Sequence, residues 1–217
     1  MTGLMDGWDE DCECEPPDFG SQEYWEAHFA SAPRGAPTDP KALEFEWLCG
    51  DWKILLPLLT PHLPKEGCIL HPGCGMSVLP ILLQREASLE VLSLDSSPSC
   101  IKLMQQRNYG GDGSNLRWRV WDVTRLEELQ MDDLSAVVEK GCLDALLCCS
   151  DVEAAKYVAG VARLLRPGAP FLVVSNSSAR QRHLQNFFEV QHVVPVDPQD
   201  KLFGPCVYVC RRRDGHV

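Results

Sequence analysis

Seven short apolar segments, separated for most of the chain by stretches with helical periodicity, constrain the fold more than any other feature of this sequence. Apolar runs with few charges are typical of strands buried on both faces, and their alternation with helices predicts βαβ units in a mostly parallel sheet. The strands are expected at residues 68–71, 89–94, 116–121, 134–138, 171–174, 188–194 and 206–210. The predicted fold is therefore α/β, with a doubly wound, mostly parallel seven-stranded sheet whose last two strands form an antiparallel pair.

Helical periodicity fills most of the gaps between these strands. Helices are expected at residues 22–30, 77–84, 99–107 and 152–165, with a further apolar-periodic stretch at 42–59. Ser96-Ser97-Pro98 is typical of a helix start, because a hydroxyl N-cap precedes a proline in the first turn. A Pro/Gly-rich linker is expected at 31–40 and a glycine turn at 110–113.

The residues at the ends of the first three strands are candidates for a ligand site, because ligands of doubly wound sheets bind beyond the carboxyl ends of the strands. The first strand ends at Gly73-Cys74-Gly75, where glycines let the backbone turn tightly and let a ligand approach. Asp95 ends the second strand, where a carboxylate can accept both hydroxyls of a ribose. Asp122 follows the third strand, where it can bind an adenine amine while Val123 packs against the ring.

Each of these features has a simpler explanation when taken alone, such as a plain turn or a helix N-cap. Together, on three successive strands, they indicate a site for an adenosine-containing ligand. Val78 stands where a dinucleotide fingerprint has its third glycine, which disfavours NAD and FAD. An adenosine ligand without phosphates remains, and S-adenosylmethionine (SAM) fits that description.

The fourth strand is followed by charged residues, which are costly at the end of a buried strand unless they are paired or functional. Glu139 and Lys140 are expected beside the glycine turn, where the amino-acid half of a methyl donor and an incoming nucleophile would meet. We predict both as catalytic residues, with Glu139 orienting the acceptor amine. Cys142 is a possible catalytic thiol, although packing explains it better.

These motifs resemble class I SAM-dependent methyltransferases. They are most similar to the protein-lysine methyltransferase group that includes the elongation factor 1-alpha and citrate synthase lysine methyltransferases. The resemblance covers roughly residues 22–212. It is carried by Glu23-Tyr24-Trp25, Phe45-Glu46-Trp47-Leu48, Gly73-Cys74-Gly75-Met76-Ser77, Asp95-Ser96-Ser97, Asp122-Val123 and Glu139-Lys140-Gly141-Cys142-Leu143-Asp144-Ala145-Leu146.

The resemblance implies SAM as the cofactor and a protein carrying the target lysine as the substrate, with elongation factor 1-alpha as the first candidate by analogy. It implies that aromatic residues close over the cofactor, that the first glycine faces its methionine portion and that a lysine lines the site. Without the resemblance, packing on a helix face would explain the two tryptophans. The predicted cofactor residues are Trp25, Phe29, Trp47, Gly73, Gly75, Asp95, Ser96, Asp122, Val123 and Lys140.

The sequence departs from the family pattern at two places. His71-Pro72 stands where many methyltransferases have an acid and a small apolar residue, and Cys142 replaces a threonine. These departures leave open a catalytically degenerate binding module. A methyltransferase of small molecules also stays open.

Charge is concentrated at the start of the chain. The net charge is −11, yet residues 1–26 contain nine acids and no lysine or arginine, so the remainder carries about −2. A nearly neutral body makes nucleic acid an unlikely partner. The acidic segment could attract a basic partner, but a disordered solubilising leader is the simpler interpretation.

The eleven cysteines include no Cys-x-x-Cys pair, and no metal site is predicted. Those in apolar runs, such as Leu147-Cys148-Cys149 and Val209-Cys210, are expected to be buried. No signal peptide, presequence or membrane span is recognised, so a cytoplasmic protein with reduced thiols is expected. We predict an acidic leader at residues 1–21, one methyltransferase domain at 22–212 and a tail at 213–217.

Overall fold

The computed structural model describes residues 17–31, 46–86, 89–107, 115–199 and 204–214. Its strands are β1 Cys68–Pro72, β2 Glu90–Asp95, β3 Leu116–Val120, β4 Ala136–Lys140, β5 Pro170–Ser175, β6 Phe188–Pro195 and β7 Cys206–Arg212. They form one seven-stranded sheet in the order β3-β2-β1-β4-β5-β7-β6. Strands β1 to β5 pair in parallel, and β7 runs antiparallel to both β5 and β6. The predicted fold class is confirmed.

Helices connect the parallel strands. They are α1 Gln22–Ala30, α2 Trp52–Leu59, α3 Leu79–Glu86, α4 Pro98–Gln106, α5 Cys142–Cys149, α6 Asp151–Leu164 and α7 Gln181–Leu184, with 3-10 segments at Thr60–His62 and Val123–Glu128. Three of them begin at serine N-caps, because the hydroxyl accepts a hydrogen bond from an amide of the first turn. These serines are Ser21 before α1, Ser97 before α4 and Ser150 before α6. None of the described helices combines the length and apolar character that crossing a membrane requires.

Two apolar layers enclose the sheet, because neighbouring residues of a buried strand point to opposite faces. On β1, Leu70 joins the layer that contains α5 and α6, whereas Ile69 joins the layer that contains α2 and α3. In the first layer, Tyr157 of α6 packs edge-on against Phe171 of β5. With both faces covered, the carboxyl edge of the parallel strands is left as the place for a ligand.

The structure differs from the sequence expectation most clearly after the fourth strand. The strand lies two residues later than expected, and a helix that the sequence reasoning missed, α5, follows it at once. The expectation that Cys148 and Cys149 are buried is wrong, because α5 ends there and leaves both side chains exposed. Cys210, in contrast, is fully buried as expected.

The predicted leader at 1–21 and linker at 31–40 fall mostly outside the described residues, and the turn at 110–113 falls wholly outside them. Residues 17–21 are described, and they contact the domain. Phe19 packs against Trp25 and Trp47, and Ser21 caps α1. Residues 17–21, which the sequence pattern predicts as part of the leader, thus pack against the folded part of the chain.

Candidate functional site

A cavity of about 520 Å³ lies at the carboxyl edge of the parallel strands. Each of the strands β1 to β5 contributes a residue at or just beyond its end. These residues are Gly73, Asp95, Asp122, Lys140 and Asn176. All ten predicted cofactor residues line this one cavity. The structure thus brings together the residues that the sequence singled out as cofactor contacts.

The glycine turn after β1 requires backbone that other residues rarely adopt. Gly73 has φ of +59° and Gly75 has φ of +50°. A Cβ on Gly73 would lie 2.7 Å from the Sγ of Cys142, so the first turn of α5 packs directly against the loop. Cys142 is buried by this packing, and burial raises the pKa of its thiol. These contacts support a packing role for Cys142.

Asp95 fixes the glycine turn to the start of α4. Its Oδ2 accepts a hydrogen bond from the Gly75 amide at 2.9 Å, and its Oδ1 accepts one from the Ser97 amide at 3.0 Å. Burial raises the pKa of this carboxyl, while the two amide donors oppose that rise. Each oxygen still has a second lone pair, so the carboxylate can accept hydroxyl groups from a ligand.

Asp122 has one carboxylate oxygen engaged and one available. Its Oδ1 accepts hydrogen bonds from the Thr124 amide at 2.9 Å and the Thr124 hydroxyl at 2.7 Å. Its Oδ2 has no hydrogen-bond partner among the described residues. Val123 beside it is buried and presents an apolar surface to the same cavity. Asp122 and Val123 together therefore suit a ligand with a flat ring that carries an N–H donor.

Aromatic side chains form another part of the cavity wall. The rings of Trp25 and Phe29 on α1 stack at 5.8 Å, and Trp47 meets Trp25 edge-on at 5.7 Å. The indole N–H of Trp25 donates to the Phe19 carbonyl at 2.8 Å. Phe19 also lines the cavity, although the sequence reasoning placed it in the leader.

A hydrogen-bonded carboxylate holds α1 in this position. Glu26 accepts hydrogen bonds from the hydroxyls of Ser97 and Ser99, the latter at 2.5 Å. It also accepts one from the Ser99 amide at 3.3 Å. The Ser97 and Ser99 hydroxyls lower the pKa of Glu26, so the residue is a carboxylate at neutral pH. These hydrogen bonds join α1 to the N-terminal end of α4, which closely follows Asp95.

Lys140 holds a second part of the cavity wall. Its Nζ lies 2.9 Å from Glu46 Oε2 and donates to the Trp47 carbonyl at 2.8 Å. The side chains of Lys140 and Glu46 are each only 3% exposed. Glu46 Oε1 accepts in turn from the Val78 amide ahead of α3 at 2.8 Å. In the sequence, Glu46 stands out only as part of a motif, because no local pattern links it to Lys140.

Glu139 lies behind the cavity wall instead of on it. The side chain is fully buried, and its Oε2 accepts hydrogen bonds from the amides of Cys142 at 2.6 Å and Leu143 at 3.3 Å. These bonds cap α5 across Gly141, whose φ is +84°. Burial raises the pKa of this carboxyl well above its usual range, and Glu139 supports the loop that carries the cavity. The expected contact of Glu139 with an acceptor amine stays a prediction.

The unusual pair after β1 also lies behind the wall. His71 is buried and its Nδ1 lies 2.6 Å from the Val138 carbonyl, while neither His71 nor Pro72 lines the cavity. Burial lowers the pKa of His71 to about 4. The His71-Pro72 pair is therefore not part of the cavity surface.

Three residues beyond β4 and β5 form a polar end to the cavity that the sequence reasoning missed. Asp144 Oδ1 accepts from the Ser175 hydroxyl at 2.7 Å and from Arg180 Nε at 2.8 Å. Asp144 Oδ2 accepts from the Asn176 amide at 2.7 Å. Asp144, Asn176 and Arg180 all line the cavity.

Within the described part of the chain, three side chains come close enough together to be compared with a metal site. The ligand atoms of Cys74, Asp95 and Cys100 lie within 4.8 Å of one another. Both Asp95 oxygens already accept backbone amides, and burial raises the pKa of the Cys74 thiol. These conditions favour protonated, packed thiols over metal ligands.

Comparison with known proteins supports this interpretation of the cavity. No protein-family model matches the chain. The chain is 31% identical over 170 residues to the mouse EEF1A lysine methyltransferase 4, covering 74% of this chain and 62% of that protein. It is 30% identical over 166 residues to the mouse eEF1A lysine and N-terminal methyltransferase, covering 75% of this chain and 22% of that protein.

The chain thus spans less than two thirds of the length of these relatives. Among solved structures, a SAM-dependent methyltransferase from Methanosarcina mazei matches with a TM-score of 0.59 at 15% identity, over 72% of this chain and 97% of that one. The chain therefore has the class I SAM-dependent methyltransferase fold and is related in sequence to the eEF1A lysine methyltransferases.

Proposed function

We propose that this chain is a SAM-dependent methyltransferase that methylates a lysine side chain of a protein. The observation that carries the proposal is the convergence of Gly73, Asp95 and Asp122 on one cavity, at the ends of three adjacent strands. The cavity has the features that an adenosine ligand without phosphates requires, and the relatives supply the reaction class. Elongation factor 1-alpha is the first substrate to test, because both mouse relatives are named for it.

The order of the strands arranges the cofactor along the cavity. Asp122 beyond β3 and Val123 hold the adenine, Asp95 at the end of β2 accepts the ribose hydroxyls, and Gly73 faces the methionine portion. Because β4 is the next strand after β1, the methyl group is directed toward Lys140 and the residues beyond it. Trp25, Phe29 and Trp47 cover the cofactor and exclude water.

SAM, when bound, supplies a methyl group already activated on a sulfonium. The remaining task of the protein is to hold donor and acceptor in an attack geometry, which can supply about 7–11 kcal/mol. Lys140 serves this task as a positioning residue, because it fixes Glu46 and the backbone of Trp47. We therefore assign Lys140 to the shape of the site and not to proton transfer.

The acceptor lysine must lose its proton before it reacts, and its pKa in water is about 10.4. The two carboxylates at this end of the cavity are already engaged, Glu46 by Lys140 and Asp144 by Arg180 and Asn176. An incoming ammonium therefore meets no unpaired carboxylate there among the described residues. Together with burial and the neighbouring sulfonium, this lowers the pKa of the acceptor amine and favours its neutral form.

The proposal is tested with Asp95→Asn, because an asparagine must turn its amide nitrogen toward the Gly75 or the Ser97 amide and cannot accept two ribose hydroxyls. We expect about 100-fold weaker SAM binding by calorimetry, since a hydrogen bond to a charged group contributes about 1.5–3 kcal/mol. Transfer of a tritiated methyl group to elongation factor 1-alpha should fall with it. Glu90→Gln is the matched control, because Glu90 starts the same strand but pairs with Arg117 at the surface.

Two results would contradict the proposal. Absence of any SAM binding by the unmodified chain would leave only a class I fold. SAM binding without label transfer to elongation factor 1-alpha or to total lysate protein would identify a binding module. In line with a protein substrate of this kind, we propose a cytoplasmic location, which microscopy of the tagged chain checks.

A further inference from the structure

Arg180 lines the cavity just beyond β5, whereas Asp95 and Asp122 line it at the ends of β2 and β3. It follows β5 and precedes α7, and it lines the cavity beside Asp144 and Asn176. In the sheet order, β5 lies beyond β4, on the side opposite Asp95 and Asp122. If the cofactor lies as proposed above, Arg180 belongs to the half of the cavity that receives the methyl acceptor.

The side chain of Arg180 is held firmly at its inner end. Its Nε donates to Asp144 Oδ1 at 2.8 Å, with a longer contact of 3.4 Å to the Ser175 hydroxyl. Its backbone amide donates to the hydroxyl of Tyr208 at 2.8 Å, and that hydroxyl donates to the Ser177 carbonyl at 2.9 Å. Tyr208 is fully buried in the core, so the backbone of Arg180, from which the guanidinium extends, is held in a fixed position.

The outer end of the guanidinium has donors to spare. Neither Nη1 nor Nη2 has a hydrogen-bond partner among the described residues, and the side chain is 23% exposed. Lys140, the other cation that lines the cavity within the described part of the chain, is committed to Glu46 and the Trp47 carbonyl. Arg180 is thus the cation at this end of the cavity with N–H groups available to a ligand.

We propose that Arg180 binds a carboxylate through its two η nitrogens, which match the two oxygens of a carboxylate in geometry. The proposal rests on the proposed function. Two sources offer this chemistry, an acidic side chain of the substrate next to the target lysine and the methionine carboxylate of SAM. In either case Asp144 positions the guanidinium, and Arg180 sets which ligand the cavity accepts.

The experiment uses Arg180→Gln and Arg180→Lys, with Arg182→Gln as the matched control. Arg182 lies two residues further on, is exposed, and does not line the cavity. Calorimetry measures the Kd of S-adenosylhomocysteine, which has the carboxylate, and of 5′-methylthioadenosine, which lacks the amino-acid half. Methyl transfer to total protein from cells that lack the chain gives the KM for the acceptor.

If the carboxylate belongs to the cofactor, Arg180→Gln weakens S-adenosylhomocysteine about tenfold and leaves methylthioadenosine unchanged. If it belongs to the substrate, both Kd values stay unchanged and the KM for the acceptor rises about tenfold. Arg180→Lys should show its loss in the same quantity as Arg180→Gln, either the Kd or the KM. A single ammonium group cannot pair with Asp144 and also form two parallel hydrogen bonds to a second carboxylate. Arg180→Lys also controls for misfolding of the Arg180→Gln variant, because the lysine keeps a positive charge beside Asp144.

The proposal is overturned if both variants retain wild-type Kd values and KM. That result differs from a failure of the proposed function. In such a failure, the unmodified chain does not bind S-adenosylhomocysteine or methylthioadenosine, or it transfers no methyl group. In the latter case both proposals fall together. Equal losses in Arg182→Gln would likewise overturn a specific role for Arg180.

Discussion

At the scale of single residues, His71 shows how one buried group outside the cavity makes the stability of the fold depend on pH. The imidazole is buried between β1 and β4, and burial lowers its pKa from 6.5 to about 4. The folded chain therefore resists protonation of His71, whereas the unfolded chain takes up the proton near pH 6.5. Its contribution to the free energy of unfolding is complete above pH 6.5 and is lost as the pH falls toward 4.

We expect this single group to reduce the free energy of unfolding by about 2 kcal/mol between pH 7.5 and pH 5, and by about 3 kcal/mol at lower pH. Urea denaturation of His71→Gln should show a shallower decline over the same range, because the variant has no proton to take up there. His192→Gln, on the exposed edge strand β6, should decline as the wild type does. Parallel curves for wild type and His71→Gln would show that the buried imidazole does not control acid stability.

At the scale of elements, α1 is a part of the cavity wall whose place depends on tertiary contacts. Two of its residues, Trp25 and Phe29, face the cavity, while Glu26 joins the helix to Ser97 and Ser99. Helices of nine residues are marginal in isolation, so α1 depends on these tertiary contacts. The strength of cofactor binding should accordingly follow the attachment of α1 more closely than the overall stability does.

Glu26→Ala removes the attachment while leaving both aromatic residues in place. We expect SAM affinity to fall about tenfold, because the hydrogen bonds lost include charge-assisted ones. The melting temperature should change little, because Glu26 is not part of the two apolar layers. Calorimetry and thermal denaturation measure the two effects, and Glu23→Ala in the same helix is the control. Unchanged SAM affinity in Glu26→Ala would show that α1 holds its place without this carboxylate.

At the scale of the whole molecule, the sequence predicts the sheet, and the cavity residues that follow β1, β2 and β3, better than the contacts among the cavity residues that follow β4 and β5. Buried strands and their terminal residues leave local patterns, so Gly73, Asp95 and Asp122 could be found from spacing alone. The bond from Lys140 to the Trp47 carbonyl joins residues 93 positions apart, and the pair of Arg180 with Asp144 spans 36. Such pairs follow from tertiary packing and leave no local signal.

Helix α5 was missed for a related reason. Its apolar and cysteine-rich sequence, read without the capping bonds from Glu139, fits a buried run as well as a helix. With its first turn capped by Glu139, this segment forms a helix, and its last residues, Cys148 and Cys149, lie on the exposed rim of the cavity. The error about the burial of Cys148 and Cys149 therefore follows from the missed helix.

This rim gives a test that involves the N-terminal segment, α5 and the cavity at once. Cys149 packs against Gly20, where an added Cβ would lie 2.4 Å from the Cys149 Cβ, and both Cys148 and Cys149 line the cavity. If SAM binds in this cavity as proposed, access to both thiols should fall, because both line it. We expect saturating SAM to slow their alkylation by N-ethylmaleimide several-fold.

Peptide mass spectrometry after timed alkylation measures each thiol separately. Cys49 is the internal control, because it is partly exposed and does not line the cavity, so its rate should be the same with and without SAM. Cys74, Cys100 and Cys142 are buried and should react only when the chain unfolds. If Cys148 and Cys149 react equally fast in both conditions while calorimetry shows SAM bound, the cofactor does not occupy the cavity next to α5, and the site must be reassigned.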